Sequence, residues 1–384
     1  MDFALSAEQE QLRDSARALL ARECPTTRVR RTMESPAGHD PALWKTFAEA
    51  GWLGVLVPEA HGGAGLGLLD AAVLMGEMGR ALAQGSYLVS SIGAVTALRE
   101  GGSAAQQATW LPRLASGEAI ATLAVAEAPE GRYDGAGVEA RAKRRGGAHA
   151  LDGTKIFAEG AQVADLVLAA FRTAAAKKNG DDFAGVELFA VPAPSRGLGV
   201  QPLVSVDETR RPCEVRFRNV TAGAAERLAG RGKGSGRALA RALDACAIAV
   251  SAESVGAAER ALELAVEYVK VREQFGRPVG TFQAVQHMAA EAAARLEPAR
   301  ALVWHAAWAF DARPREAPMA ASMAKSYCAD AFRAVSRTAV EMHGGIGFTW
   351  EHDMHLYYKR ALANAADFGD AGFHRDRIAR LARF

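Results

Sequence analysis

The sequence predicts an α+β, multidomain fold: an N-terminal α-helical domain (1–118), a middle antiparallel β-barrel or sandwich (119–225) and a C-terminal four-helix bundle (226–384). Apolar residues recur at helical spacing at both ends of the chain. Between them lie short extended runs punctuated by Gly, Pro and charge. Strands and helices never alternate as βαβ units, which argues against a Rossmann fold.

In the first part, Ser6 with Gln9 forms a capping-box pattern, and Leu12, Ala16, Leu19 and Leu20 follow as one apolar stripe. Helical patterns continue at Pro41–Glu49, Leu69–Leu82 and Ala104–Ala115, with the glycine-rich turn Pro58 to Gly65 between. The strand-like runs are Ala121–Glu127, Ala148–Phe157, Asp165–Arg172, Gly185–Val191, Gly199–Val206 and Cys213–Val220. The last alternates polar and apolar residues, as a sheet with one wet face requires. In the final part, Phe282, Val285, Ala289, Ala292, Leu296, Ala299, Val303, Ala306 and Phe310 mark one face of a bundle helix. Pro298 inside it predicts a kink.

Composition narrows the function classes. Of 384 residues, 49% are hydrophobic and 23% charged, and the net charge is +2, which fits a soluble globular protein with no global field for nucleic acid or membrane. No run of about twenty apolar residues spans a bilayer. The start, Met1-Asp2-Phe3-Ala4-Leu5-Ser6, lacks the pattern of a secretory signal. Cys24, Cys213, Cys246 and Cys328 are far apart, so neither a disulfide framework nor a zinc site is expected, and a cytoplasmic, reducing location is. The basic run Arg141 to Arg145 beside Gly146-Gly147 reads as a solvated hairpin. Gly230 to Gly236 does not match a phosphate loop, because Lys233 precedes Gly, and reads as a hinge. His352 and His355 stand three apart without further ligands, so no metal is expected. Ser90 and Ser91 lack a nucleophile elbow.

Four segments resemble the acyl-CoA dehydrogenases over nearly the whole chain. They are Gly51 to Gly63; Asp152-Gly153-Thr154-Lys155-Ile156-Phe157 with Ala164-Asp165; Tyr268 to Val279 with Phe282-Gln283; and Glu341 to Thr349. The R-x-Q-F-G core, Arg272 to Gly276, is the most specific. The resemblance implies FAD as cofactor and an acyl-CoA thioester as substrate. A carboxylate would take the α proton, the flavin would accept the β hydride, and hydrogen bonds would stabilise the thioester enolate. It implies cofactor contacts at Ala126, Phe157, Glu159, Arg272, Gln274, Phe275, Phe282, Gln283, Glu341, Gly344 and Gly345, and a substrate contact at Asp244. Arg272 would donate to the pyrophosphate of a neighbouring subunit's flavin, and Gly344-Gly345 would let the backbone approach it.

The chain also departs from the family pattern. The usual catalytic Glu slot, before Gly-Thr in the loop after the last long helix, holds Gly369; the slot used by a minority, on the first bundle helix, holds Cys246, with Ala247 where an arginine is common. Asp370 is one residue away from the first slot and is the candidate base; the other readings are an exposed loop aspartate or an N-cap for a helix over Arg375–Arg383. The usual Thr-Glu-Pro run is Ala126-Glu127-Ala128. Where a hydroxyl follows the flavin-side strand, Glu159 stands, which must turn outward or be protonated to leave the flavin field unchanged. Phe368 to Ala371, preceded by Tyr357 to Arg360, resembles the small subunits of bacterial heteromeric acyl-CoA dehydrogenases of the pimeloyl-CoA dehydrogenase type. This implies partnership with a homologous subunit in an α2β2 assembly, a homotetramer or dimer being the alternative, and an electron-transfer flavoprotein as acceptor. A flavin monooxygenase on the same fold and a non-catalytic partner subunit are the competing readings.

Overall fold

The computed structural model describes residues 4–175, 183–230 and 234–383. Arg231 to Lys233, in the expected glycine hinge, lie outside the described residues, as do Met1 to Phe3. Packing groups the chain into two compact units that do not follow chain order: residues 1–31, 68–83 and 247–384, and residues 32–67 and 84–246.

The first unit is helical. It holds α1 (Ala7–Glu23), most of α2 (Thr26–Glu34), α4 (Leu68–Arg80), the larger part of α7 (Gly236–Val271), α8 (Gln283–Ala312), α9 (Ala317–His343), α10 (Met354–Ala366) and α11 (Ala371–Ala382). The Ser6 capping box closes the start of α1. Helix α8 runs unbroken through Pro298, and its predicted face is buried from Ala292 to Phe310. Helix α9 packs against α8, α10 and α11. Small residues set the spacing: a Cβ on Gly256 of α7 would overlap the Gly76 carbonyl of α4, and one on Gly79 would overlap the Glu253 carbonyl. The Arg360 guanidinium pairs with the Glu253 carboxylate, and Asn364 Nδ2 donates to Glu253 Oε2 at 3.1 Å; all three are buried.

The second unit holds α3 (Pro41–Glu49), a π-helical segment (Tyr87–Ala94), α5 (Val95–Gly101), α6 (Ala104–Ala115) and a seven-stranded sheet. The strands are β1 (Ala121–Ala124), β2 (Arg141–Arg145), β3 (Ala148–Glu159), β4 (Leu166–Arg172), β5 (Val186–Pro192), β6 (Leu198–Pro202) and β7 (Pro212–Ala222). Their order is β1-β4-β2-β3-β7-β6, with β5 also on β4. The expected wholly antiparallel pairing is corrected in detail. Strand β1 runs parallel to β4, and β2 touches β4 in parallel at Arg141↔Arg172, because these neighbours are not consecutive in sequence. The basic hairpin is as expected: β2 pairs with β3 across Gly146-Gly147. Cys213, Val215 and Phe217 of β7 face the core with Phe171 and Phe189, while Arg216 and Arg218 face out. Phe171 meets Phe217 edge-on at 5.0 Å.

Candidate functional site

In the helical unit, α7 ends at Val271 and the chain turns back as a two-residue hairpin between β8 (Glu273–Gln274) and β9 (Arg277–Pro278). Both turn residues, Phe275 (φ +55°) and Gly276 (φ +76°), take positive φ, the pattern of a type I′ turn. Glycine adopts it freely; an aromatic residue there is strained, and such strain clusters at functional sites. The Phe275 ring is 92% exposed and meets Phe282 at 6.2 Å, and the Arg277 guanidinium lies 4.2 Å from the Phe282 ring centre. The Arg272 side chain is exposed and makes no ion pair or side-chain hydrogen bond among the described residues. Gln274 and Gln283 are exposed beside it in sequence.

Helix α9 ends at His343. Glu341 is exposed in its last turn, and Gly344 follows with φ 65° and ψ −147°, a backbone conformation close to one open only to glycine. A Cβ at Gly344 or Gly345 would meet nothing within 4 Å, so this turn presents open main chain. His343 stacks on Tyr268 at 4.7 Å, and its Nδ1 contacts Ala339 O at 2.7 Å. Its Nε2 is buried without a hydrogen-bond partner. Phe348 and Trp350 beyond it are 67% and 57% exposed. The exposed Arg272 guanidinium and the open main chain of the glycine turn are donors of the kind an anionic dinucleotide takes, and the exposed rings suit a flat group; the buried His343 Nε2 offers no donor, because Nδ1 carries the ring hydrogen toward Ala339 O.

The loop between α10 and α11 carries the other expectation. Asp370 caps α11: its Oδ1 accepts from Phe373 N at 2.7 Å. The helix starts at Ala371, earlier than the sequence pattern suggests. Behind the loop, buried Lys325 of α9 donates to Gly369 O at 2.7 Å and to Ala365 O at 3.3 Å. Burial pushes this ammonium down to about 8. Buried His374 contacts Phe368 O through Nε2 at 3.0 Å and Ser322 Oγ through Nδ1 at 3.2 Å. Burial, then the Lys325 charge, holds it down at about 3, against 6.5 when free. Sequence reasoning missed both residues. A lone lysine amid Ala320, Ala321, Ala324 and Cys328 was the available signal for the first.

The His374 shift has a sign. The unfolded chain takes up this proton below about pH 6.5, whereas the folded chain does so only near 3, so stability contributed above pH 6.5 is lost as pH falls between them. The slope is at most about 1.4 kcal/mol per pH unit. The stability difference between wild type and His374→Asn is therefore expected to shrink from pH 6.5 to 4 in urea titrations. A constant difference would contradict it.

In the sheet unit, Phe157 lies in an irregularity of the β3–β7 register, between Lys155 and Ala158, with φ +58° and 47% exposure. A bulge re-aims a side chain in this way. Ala126 is buried, and its carbonyl accepts from Ile156 N at 2.9 Å. Glu127 turns inward, where buried Lys155 donates to it at 2.5 Å and the backbone of Glu139 and Ala140 at 3.1 Å. Burial pushes Lys155 down to about 8 despite that partner. Glu159 pairs with buried Arg210 at 3.3 Å. Asp244 is buried. Cys246 is fully buried, its thiol pushed up by burial, and Gly93 and Leu88 of the π-helical segment pack on it. The second carboxylate slot is thus a neutral thiol. Among the described residues no cluster of potential metal ligands occurs; His352 Nδ1 instead accepts from Met354 N at 3.0 Å.

The family model for the acyl-CoA dehydrogenase N-terminal domain matches residues 6–118, and that for the C-terminal domain matches residues 232–382. The "Acyl-CoA dehydrogenase IpdE2" of Mycolicibacterium smegmatis is 32% identical over 98% of this chain and 98% of its own. Among solved structures, the ChsE4-ChsE5 complex from Mycobacterium tuberculosis is similar with a TM-score of 0.89 and 27% identity, covering 100% of this chain and 99% of that one. The Tcur3481-Tcur3483 steroid ACAD G363A variant is similar with a TM-score of 0.87 and 30% identity, covering 98% of each chain. The chain belongs to the acyl-CoA dehydrogenase family, whose cofactor is FAD.

Proposed function

We propose that this chain is one subunit of a heteromeric, FAD-dependent acyl-CoA dehydrogenase, furnishing flavin-binding surface while a homologous subunit furnishes the catalytic carboxylate. One observation carries the reading: Gly369 and Cys246 leave both carboxylate slots empty of acid, while the Arg272 guanidinium and the Gly344-Gly345 turn stand ready for a dinucleotide.

In this reading Arg272 donates charge-assisted hydrogen bonds to the pyrophosphate. Phe275 and Phe282, with Gln274 and Gln283, line the adenosine end. Glu341 and the glycine turn border the cofactor, and Phe157 with the Ala126 main chain flanks the flavin ring. Pairing with Arg210 neutralises Glu159, so it adds no net charge there. FAD supplies the two-electron acceptor for the β hydride. The α proton leaves to a carboxylate that this chain does not hold, since the Asp370 side chain is engaged in capping α11. Asp244 contacts substrate, an electron-transfer flavoprotein takes the electrons, and the assembly works in the cytoplasm, where four free buried thiols remain reduced. Among the described residues no helix is long and apolar enough to cross a membrane.

The test compares the purified chain with the chain co-expressed alongside a homologous acyl-CoA dehydrogenase subunit. Anaerobic addition of acyl-CoA should bleach the flavin of the pair and not that of the chain alone. Bleaching by the isolated chain at ordinary enzyme rates would defeat the shared-site reading.

A further inference from the structure

We propose that His374 is a positioning residue which, as the neutral Nε2–H tautomer, locks the Phe368–Gly369 main chain against α11 and leaves position 369 no room for a side chain, and so for a carboxylate. This rests on the shared-site reading and deepens it: the missing base is a property of the loop's construction, beyond the identity of one residue.

The hydrogen-bond chain has a direction. Arg377 Nη1 can only donate, and does so to Ser322 Oγ at 3.2 Å. The Ser322 hydroxyl hydrogen is then free for His374 Nδ1 at 3.2 Å. Phe368 O can only accept, at 3.0 Å from Nε2, so Nε2 bears the hydrogen. The Lys325 ammonium fastens the next carbonyl, Gly369 O, at 2.7 Å. Phe368 (φ +58°) and Gly369 (φ +98°) are both left-handed, and this turns the chain toward α11. A Cβ on Gly369 would stand 2.5 Å from Phe373 Cδ1, 3.0 Å from Phe373 Cε1 and 3.1 Å from His374 Nε2. A side chain at 369 therefore starts inside the helix contact. The Asp370 carboxylate is held on Phe373 N, and withdrawing it uncaps α11.

The test uses full-length protein with its homologous partner. In His374→Ala, amide exchange across 366–371 should accelerate about tenfold while the α8 and α9 core is unchanged, and His374→Asn, which keeps a side-chain donor, should restore slower exchange. Unchanged loop exchange in the alanine variant overturns the proposal. In wild-type protein, nitrogen-15 spectra should show Nε2 protonated and Nδ1 bare from pH 7 to 5; an Nδ1–H tautomer or a cation at pH 5 overturns it. Gly369→Glu should leave the chain without its partner unable to bleach its flavin with acyl-CoA, and bleaching at ordinary rates overturns the proposal. If wild-type protein binds no flavin, the shared-site reading fails, while the exchange and nitrogen spectra still decide the role of His374.

Discussion

Replacing Arg360 with methionine is expected to cost the fold about 3–5 kcal/mol, the range for stranding one member of a buried ion pair. Arg360 is wholly buried on α10 and Glu253 nearly so on α7, with Asn364 as a further donor to the carboxylate. Without the guanidinium, the buried Glu253 carboxylate loses this ion pair and either stays charged at high cost or takes up a proton. Removing both charges, as in Arg360→Met with Glu253→Leu, should recover most of the loss, because the penalty lies in the widowed charge. Urea denaturation of the three proteins reads this directly. A single variant within about 1 kcal/mol of wild type would show that the pair is solvated or dispensable.

Arg272→Ala should do the reverse, sparing the fold and emptying the site. The side chain is exposed and without partners among the described residues, so the change in stability should stay within about 0.5 kcal/mol. Losing charge-assisted hydrogen bonds to a pyrophosphate, about 1.5–3 kcal/mol, should weaken FAD binding on the order of 10- to 150-fold. Arg272→Lys should recover only part, since an ammonium cannot reproduce the planar two-pronged contact. Flavin content after gel filtration and fluorescence titration of the apoprotein measure both. Wild-type flavin content in the alanine variant would remove Arg272 from the site.

The sequence revealed elements whose signals are local. Asp40 before Pro41, and Ser103 with Gln106, cap α3 and α6, which begin and end where their patterns do. Strand β7 announced itself by alternation. The segment Tyr87–Ala94 did not, because it is buried on every side and so shows no apolar stripe. At the site, the cofactor-side residues were legible only through family resemblance. The left-handed bulge that aims Phe157 outward follows from strand register, which no local pattern encodes. The Glu159–Arg210 pairing joins residues 51 apart in sequence, too far for spacing rules. Asp370 takes the capping role that is one of its readings, but the helix it caps starts at Ala371, four residues before the start its pattern suggests.

The exposed rings of Phe275, Phe348 and Trp350, with Val271 at 76% exposure, bear on the life of a newly made copy. Apolar surface of this kind is what chaperones and proteases survey. In the proposed pair, a copy made in excess of its counterpart would leave these rings uncovered and open to clearance, which would hold the two subunits in proportion without a dedicated regulator.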